Sequence, residues 1–241
     1  MTTLVAWNCN MAFREKKRHV LQYDPDILVI PECEDPATKG DWSEFSDWVW
    51  VGENENKGLG VFARNGITLE LADDETNQSR YVVPVNVDGA ADVLAVWAMN
   101  DEGNPERRYI GQVYTALQQY RNFVKSDTVV AGDFNWNVVW DDSPKSPLCG
   151  NFSDTVEILR QHGLQSVYHA ETDSEFGDEG QPTFFMHKKQ ERPYHTDYVF
   201  ASDARTASIS DFHVGKYDEW VELSDHMPIL TSFEATSTEF S

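Results

Sequence analysis

The chain has 241 residues, with 41 acidic and 19 basic side chains, a net charge of −22, and 40% hydrophobic residues. That composition suits a folded globular protein and excludes collagen-like, low-complexity and disordered chains. No apolar run of about 18 residues is present, so no transmembrane helix is expected. Three cysteines (Cys9, Cys33 and Cys149) exclude a disulfide scaffold and point to a reducing, cytoplasmic setting.

In chain order, Leu4 to Trp7 reads as a strand that starts directly after the N-terminus, with no basic leader of the signal-peptide kind. Phe13 to Tyr23 is basic and amphipathic and predicts a helix ended by Pro25. Asp26 to Ile30 predicts a buried strand, which completes a strand–helix–strand unit. Trp48 to Val51, Gly60 to Ala63, Ile67 to Leu71, Tyr81 to Val87 and Val93 to Met99 read as strands separated by Gly, Asn and Asp turns. Arg107 to Lys125 has helical spacing, Thr128 to Ala131 is a strand, and Phe152 to His162 is a helix closed by Gly163. Gln165 to Gln181 is polar and reads as an exposed loop. Phe184-Phe185, Tyr198 to Ala201, Ala207 to Val214 and Ile229 to Phe233 supply the last strands.

One rhythm, strand–helix–strand followed by antiparallel strands, occurs once in each half. It predicts an α/β protein with two similar sheets packed face to face and helices outside. Nothing reads as a linker, so a single domain is expected over 1–234, with a short polar tail over 235–241.

The charge carries its own information. Sequence-independent binding to long nucleic acid needs a stripe of Lys and Arg, which a chain of net charge −22 does not supply overall. Twenty-two aspartates against nine lysines is also a balance that a salt-rich cytoplasm favours, because salt screens repulsion from phosphate. A merely acidic protein and an acidic metal pocket are the other two readings. Local basic clusters stand out on this background: Arg14, Lys16, Lys17 and Arg18, then His187, Lys188, Lys189 and Arg192.

Seven chemistry-bearing residues lie at strand ends, where open sheets place their sites. Asn8 follows the first strand and Glu32 the second. Asp133 and Asn135 follow Val129 to Gly132. Asp197 heads Tyr198 to Phe200, and Asp225-His226 precedes Ile229. Trp7-Asn8, Pro31-Glu32, Gly132-Asp133-Phe134-Asn135, His195-Thr196-Asp197-Tyr198 and Ser224-Asp225-His226-Met227-Pro228 occur in this order over almost the whole chain.

This ordered set resembles the endonuclease/exonuclease/phosphatase superfamily, which includes exonuclease III-like and deoxyribonuclease I-like enzymes. The resemblance implies a four-layer α/β sandwich of two mixed, mostly antiparallel sheets. It also implies metal-dependent hydrolysis of phosphodiester bonds in nucleic acid, with DNA as the expected partner and Mg²⁺, or Mn²⁺, as the cofactor. On that reading Glu32 is the main metal ligand, supported by Asn8 and Asp225, since Mg²⁺ prefers hard oxygen donors. Asp133 orients or deprotonates the attacking water, and Asn135 donates to a phosphate oxygen. His226 stabilises the pentacovalent phosphate or acts as acid/base, while Asp197 fixes its tautomer.

The resemblance has departures. Ala98-Met99-Asn100 stands where deoxyribonuclease I-like members carry a second catalytic His, so Asn100 becomes a phosphate contact instead. Tyr109 is the nearest counterpart of a Tyr found after this strand in exonuclease III-like members. His195 either faces phosphate or flanks a strand, and Trp136 either stacks on a base or packs its loop onto the sheet. A phosphatase or phosphodiesterase for a small molecule or lipid headgroup is the alternative activity.

Overall fold

Apolar runs of five to seven residues are too short for buried helices, and in the computed structural model they form strands. The structure describes residues 1–72, 80–144 and 147–234; the expected tail lies outside them. The first half contains β1 (Thr2–Ala6), the short helices α1 (Phe13–Lys16) and α2 (Arg18–Leu21), β2 (Ile27–Cys33), β3 (Asp47–Asn54), β4 (Lys57–Ala63) and β5 (Leu69–Leu71). There follow β6 (Val82–Val87), β7 (Val93–Trp97), α3 (Ile110–Gln119), β8 (Val129–Asp133), α4 (Phe152–Gln161), β9 (Leu164–Ser166) and α5 (Val167–Thr172). The last part contains β10 (Phe184–Phe185), β11 (Pro193–Tyr194), β12 (Asp197–Ser202), α6 (Asp203–Thr206), β13 (Ile209–Val214), α7 (Tyr217–Trp220) and β14 (Ile229–Phe233).

Two six-stranded mixed sheets result, ordered β13-β14-β1-β2-β4-β3 and β5-β6-β7-β8-β12-β9. Each has a parallel pair at its centre, β1 with β2 and β7 with β8, and antiparallel partners elsewhere. The rhythm read from the sequence is this repeat: each central pair needs a crossover, and helices supply it. Alternation assigns the faces. In the second sheet Val93, Ala95, Val129, Ala131 and Val199 enter the core that also holds Leu4, Val29 and Ile229 of the first sheet. Leu94, Val96, Val130, Tyr198 and Phe200 point the other way and are covered by α3 and α4 through Val113, Leu117, Val156 and Leu159. The outer side of the first sheet carries an aromatic cluster, in which Trp7 lies 5.0 Å from Trp220 and Phe13 5.4 Å from Phe62. The architecture is the expected α/β sandwich.

Two expectations need correction. The basic segment is helical over Phe13–Lys16 and Arg18–Leu21 and stops short of the expected Tyr23; Lys17 between the two keeps helical backbone angles (φ −50, ψ −33), and its ammonium reaches Glu44 at 2.6 Å and the Asp41 carbonyl. Gln165 to Gln181 is not a plain exposed loop, because it begins with β9 and α5. Buried Val167 and Tyr168 anchor that segment, an apolar pair outweighed in the sequence by the acidic residues after it.

Candidate active site

The C-terminal ends of β1, β2 and β8 and the N-terminal ends of β12 and β14 all meet at one edge of the sandwich. Residues 125 positions apart are brought into contact there: the Asn8 Nδ2 donates to Asp133 Oδ2 at 3.0 Å and lies 3.4 Å from Glu32 Oε1. Glu32 reaches this edge through a bulge in the β2–β4 pairing between Pro31 and Cys33, and its backbone has φ 66. Bulges re-aim single side chains in this way. Asn10, also at positive φ, donates to Asp225 Oδ1 at 3.0 Å and links that carboxylate to the same loop.

Asp133 and Asp197 are direct partners in the antiparallel β8–β12 ladder, which sets two carboxylates side by side. Like charges in that position repel, and His226 resolves the conflict. Its Nδ1 lies 2.9 and 3.2 Å from the two Asp197 oxygens. Asp133, Asp197 and His226 are all buried, with ligating atoms within 4.8 Å of one another. Burial pushes the Asp133 carboxyl up to about 7; Asp197 adds to the rise, while His226 and the Asn8 amide oppose it. Burial pushes the His226 imidazole down, but Asp197 and Asp133 outweigh it and raise it to about 10. One protonated imidazole thus sits among carboxylates in a water-poor setting.

The support around these groups is specific. Ser224 Oγ accepts from the His226 N–H at 3.0 Å and donates to the Asn8 carbonyl at 2.8 Å. The Trp7 indole donates to the His226 carbonyl at 2.9 Å, and the Phe184 ring packs 4.6 Å from the imidazole. Asn135 has φ 50; its backbone N–H donates to Asp133 Oδ1 at 2.7 Å, and its side chain donates to the Ala98 carbonyl at 3.2 Å.

The structure therefore gathers Asn8, Glu32, Asp133, Asn135, Asp197, Asp225 and His226 at one edge. The four expected substrate contacts fall elsewhere or alongside. Asn100 is exposed and lines a neighbouring groove of about 500 Å³ with Arg80, Tyr81 and Arg107. Tyr109 stands at the start of α3, its ring 6.4 Å from that of Trp136. Trp136 is buried and its indole donates to Asp141 at 2.9 Å, so it packs its loop down and does not present a stacking face. His195 is also buried, packed 4.5 Å from Tyr168 with Nδ1 on the Gln181 carbonyl, and it flanks its strand instead of facing the site. Two site residues escaped the sequence reading. Asn10 was signalled by its alternation with Asn8, but Lys57, 3.0 Å from Glu32 Oε2, had no local signal at all.

A divalent cation fits this set. Glu32 and Asp225 offer hard carboxylate oxygens of the kind Mg²⁺ prefers. Glu32 already holds a cation, the Lys57 ammonium. Asn8, expected as a supporting ligand, turns its amide N–H toward Asp133 and Glu32 while its Oδ1 accepts from the Asn10 N–H at 3.1 Å, so it links the two carboxylates.

A family model described as endonuclease/exonuclease/phosphatase matches residues 5–226. The chain belongs to that family and is a hydrolase of phosphoric esters. No curated protein matches its sequence significantly. Among solved structures it is similar to the 3′ phosphatase NExo from Neisseria bound to a product DNA hairpin, with TM-score 0.70, 20% identity, and coverage of 98% of this chain and 100% of that one. It is also similar to an AP endonuclease from Archaeoglobus fulgidus, with TM-score 0.66, 17% identity, and coverage of 98% and 100%. The AP endonuclease LMAP from Leishmania major gives TM-score 0.68 and 13% identity over 98% of this chain and 88% of that one.

Proposed function

We propose that this protein is a divalent-metal-dependent nuclease that hydrolyses phosphodiester bonds of DNA. The observation that carries the reading is the buried Asp133–Asp197–His226 cluster beside the Glu32 carboxylate. The solved relatives named for DNA-hairpin binding and AP-endonuclease activity support DNA as the substrate. Glu32, with Asp225, would hold Mg²⁺ or Mn²⁺, which would neutralise charge on the phosphoryl group; Asn8 positions Glu32 through its amide N–H.

The chain's own residues supply the rest. Asp133 takes the proton of the attacking water; burial keeps it basic enough for that task near neutral pH. His226, protonated and oriented by Asp197, presents the nitrogen that Asp197 does not engage to the phosphate oxygens. Asn135, held by Ala98, adds a neutral donor on the same side. Asn100 and Arg107 in the adjoining groove contact the flanking strand. Three free cysteines suit a reducing compartment such as the cytoplasm, and no helix among the described residues is long and apolar enough to cross a membrane.

The test is cleavage of plasmid and of single-stranded, duplex and abasic-site oligonucleotides with Mg²⁺ or Mn²⁺ titrated, at low and molar KCl. Metal-dependent cutting that stops with a chelator is expected. A folded protein that cuts none of these substrates sinks the proposal. The net charge of −22 favours one other reading, a phosphatase for a small phosphoester, and a screen of soluble phosphomonoesters separates the two.

A further inference from the structure

Glu32 is aimed into the site by its bulge, yet both its oxygens are already engaged. Oε1 faces the Asn8 amide at 3.4 Å and Oε2 faces the Lys57 ammonium at 3.0 Å. Lys57 comes from the far end of β4, across the turn from Asn54. Its ammonium also lies 5.3 Å from the ring centre of Trp97, which ends β7 in the opposite sheet. The Lys57 side chain is thus held between a carboxylate and an aromatic face, one from each sheet. A cation gains from both.

We propose that Lys57 is a built-in counter-cation, which neutralises Glu32 until a divalent ion takes its place. The inference rests on Glu32 as a metal ligand and adds what competes for it. The physical reasons are three. First, a carboxylate in a partly closed site is costly without a cation, and among the described residues the cation paired with Glu32 is Lys57. Second, the pair is replaceable: the Lys57 side chain is 35% exposed, and ion pairs with that much solvent contribute little. Third, an ammonium and a dication at one carboxylate repel each other, so arrival of the metal must release Lys57. Of the groups beside Glu32, the amides of Asn8 and Asn10 carry no charge, and the Asp225 carboxylate that Asn10 holds draws in the dication.

Binding of Mn²⁺ without nucleic acid tests this, followed by electron paramagnetic resonance of the free ion or by calorimetry. Lys57→Met is expected to bind Mn²⁺ about tenfold more tightly than wild type, because one positive charge within a few ångströms has gone. Lys57→Arg, which keeps the charge, should stay within about threefold of wild type. Unchanged or weaker binding by a folded Lys57→Met overturns the proposal. If that variant does not fold, the ¹⁵Nζ resonance of Lys57 in wild type decides. It should shift on titration with Mg²⁺, and a resonance unmoved at saturation refutes the exchange. Tighter Mn²⁺ binding by Lys57→Met, together with a folded wild type that cleaves no DNA, removes the nuclease reading and leaves the exchange standing. Absence of Mn²⁺ binding in both forms removes Glu32 as a ligand and the exchange with it.

Discussion

A buried carboxylate is a poor place for charge, and Asp133 shows what that does. It is fully buried beside Asp197, so its protonated form persists to about pH 7. A group whose folded pKa lies above its unfolded value stabilises most below the unfolded pKa. That stability is lost as pH rises through 7, so ionised Asp133 costs the fold stability in the range where the enzyme needs it. Asp133→Asn is therefore expected to lower kcat about a thousandfold, ~4 kcal/mol in barrier. Its thermal midpoint at pH 8 should be equal to or above that of wild type. A loss of activity below tenfold, or a lower midpoint at pH 8, contradicts the assignment. The acidic limb of kcat/KM should lie near pH 7 at limiting metal and move to lower pH as metal is raised, since a nearby cation favours the carboxylate. His226, raised to about 10, keeps its proton across that range and gives the alkaline limb.

Among the elements, β8 carries the most constrained position. Gly132 has φ 136, and a Cβ there would lie 2.0 Å from the Val96 carbonyl of β7. The parallel β7–β8 pair can close only with hydrogen at this position, one residue before Asp133. Gly132→Ala should cost about 3 kcal/mol or more, read as a fall in the urea midpoint or as loss of soluble protein. The segment after α5 is tied down differently. Glu179 accepts from the Asn137 side chain at 3.1 Å and pairs with His169 at 3.4 Å. Burial raises this carboxyl, but His169 and backbone donors win and hold it at about 2. A depressed pKa stabilises above the unfolded value and loses that effect as pH falls through the folded one. Glu179→Gln should then cost about 2 kcal/mol at pH 7, with the difference from wild type shrinking between pH 4.5 and 2 in urea unfolding. The acidic sequence here gave no hint of which carboxylate is anchored, because the partners lie 10 and 42 residues away.

For the molecule as a whole, a net charge of −22 on 241 residues opposes compaction through self-repulsion. Raising KCl from 0.1 to 1 M should increase the thermal midpoint by several degrees, because the screening length falls from about 10 to 3 Å. A midpoint that falls with KCl contradicts it. The strands and the repeated half were legible in the sequence, since short apolar runs and Gly/Asn punctuation are local consequences of backbone geometry. So were Asn8, Glu32, Asp133, Asp197 and His226, because each ends or begins a strand and their motifs keep one order. At Trp136 and His195 the sequence left two readings open, and the fold buries both rings, because a loop that closes over a side chain is not written in the residues beside it. Lys57 stayed invisible for the opposite reason, as an ordinary lysine after a turn that only the β2–β4 pairing carries to Glu32. Local chemistry thus determined which side chains stand at strand ends, while the pairing of two sheets decided which of them share one hollow, because proximity between distant segments is a property of the folded chain alone.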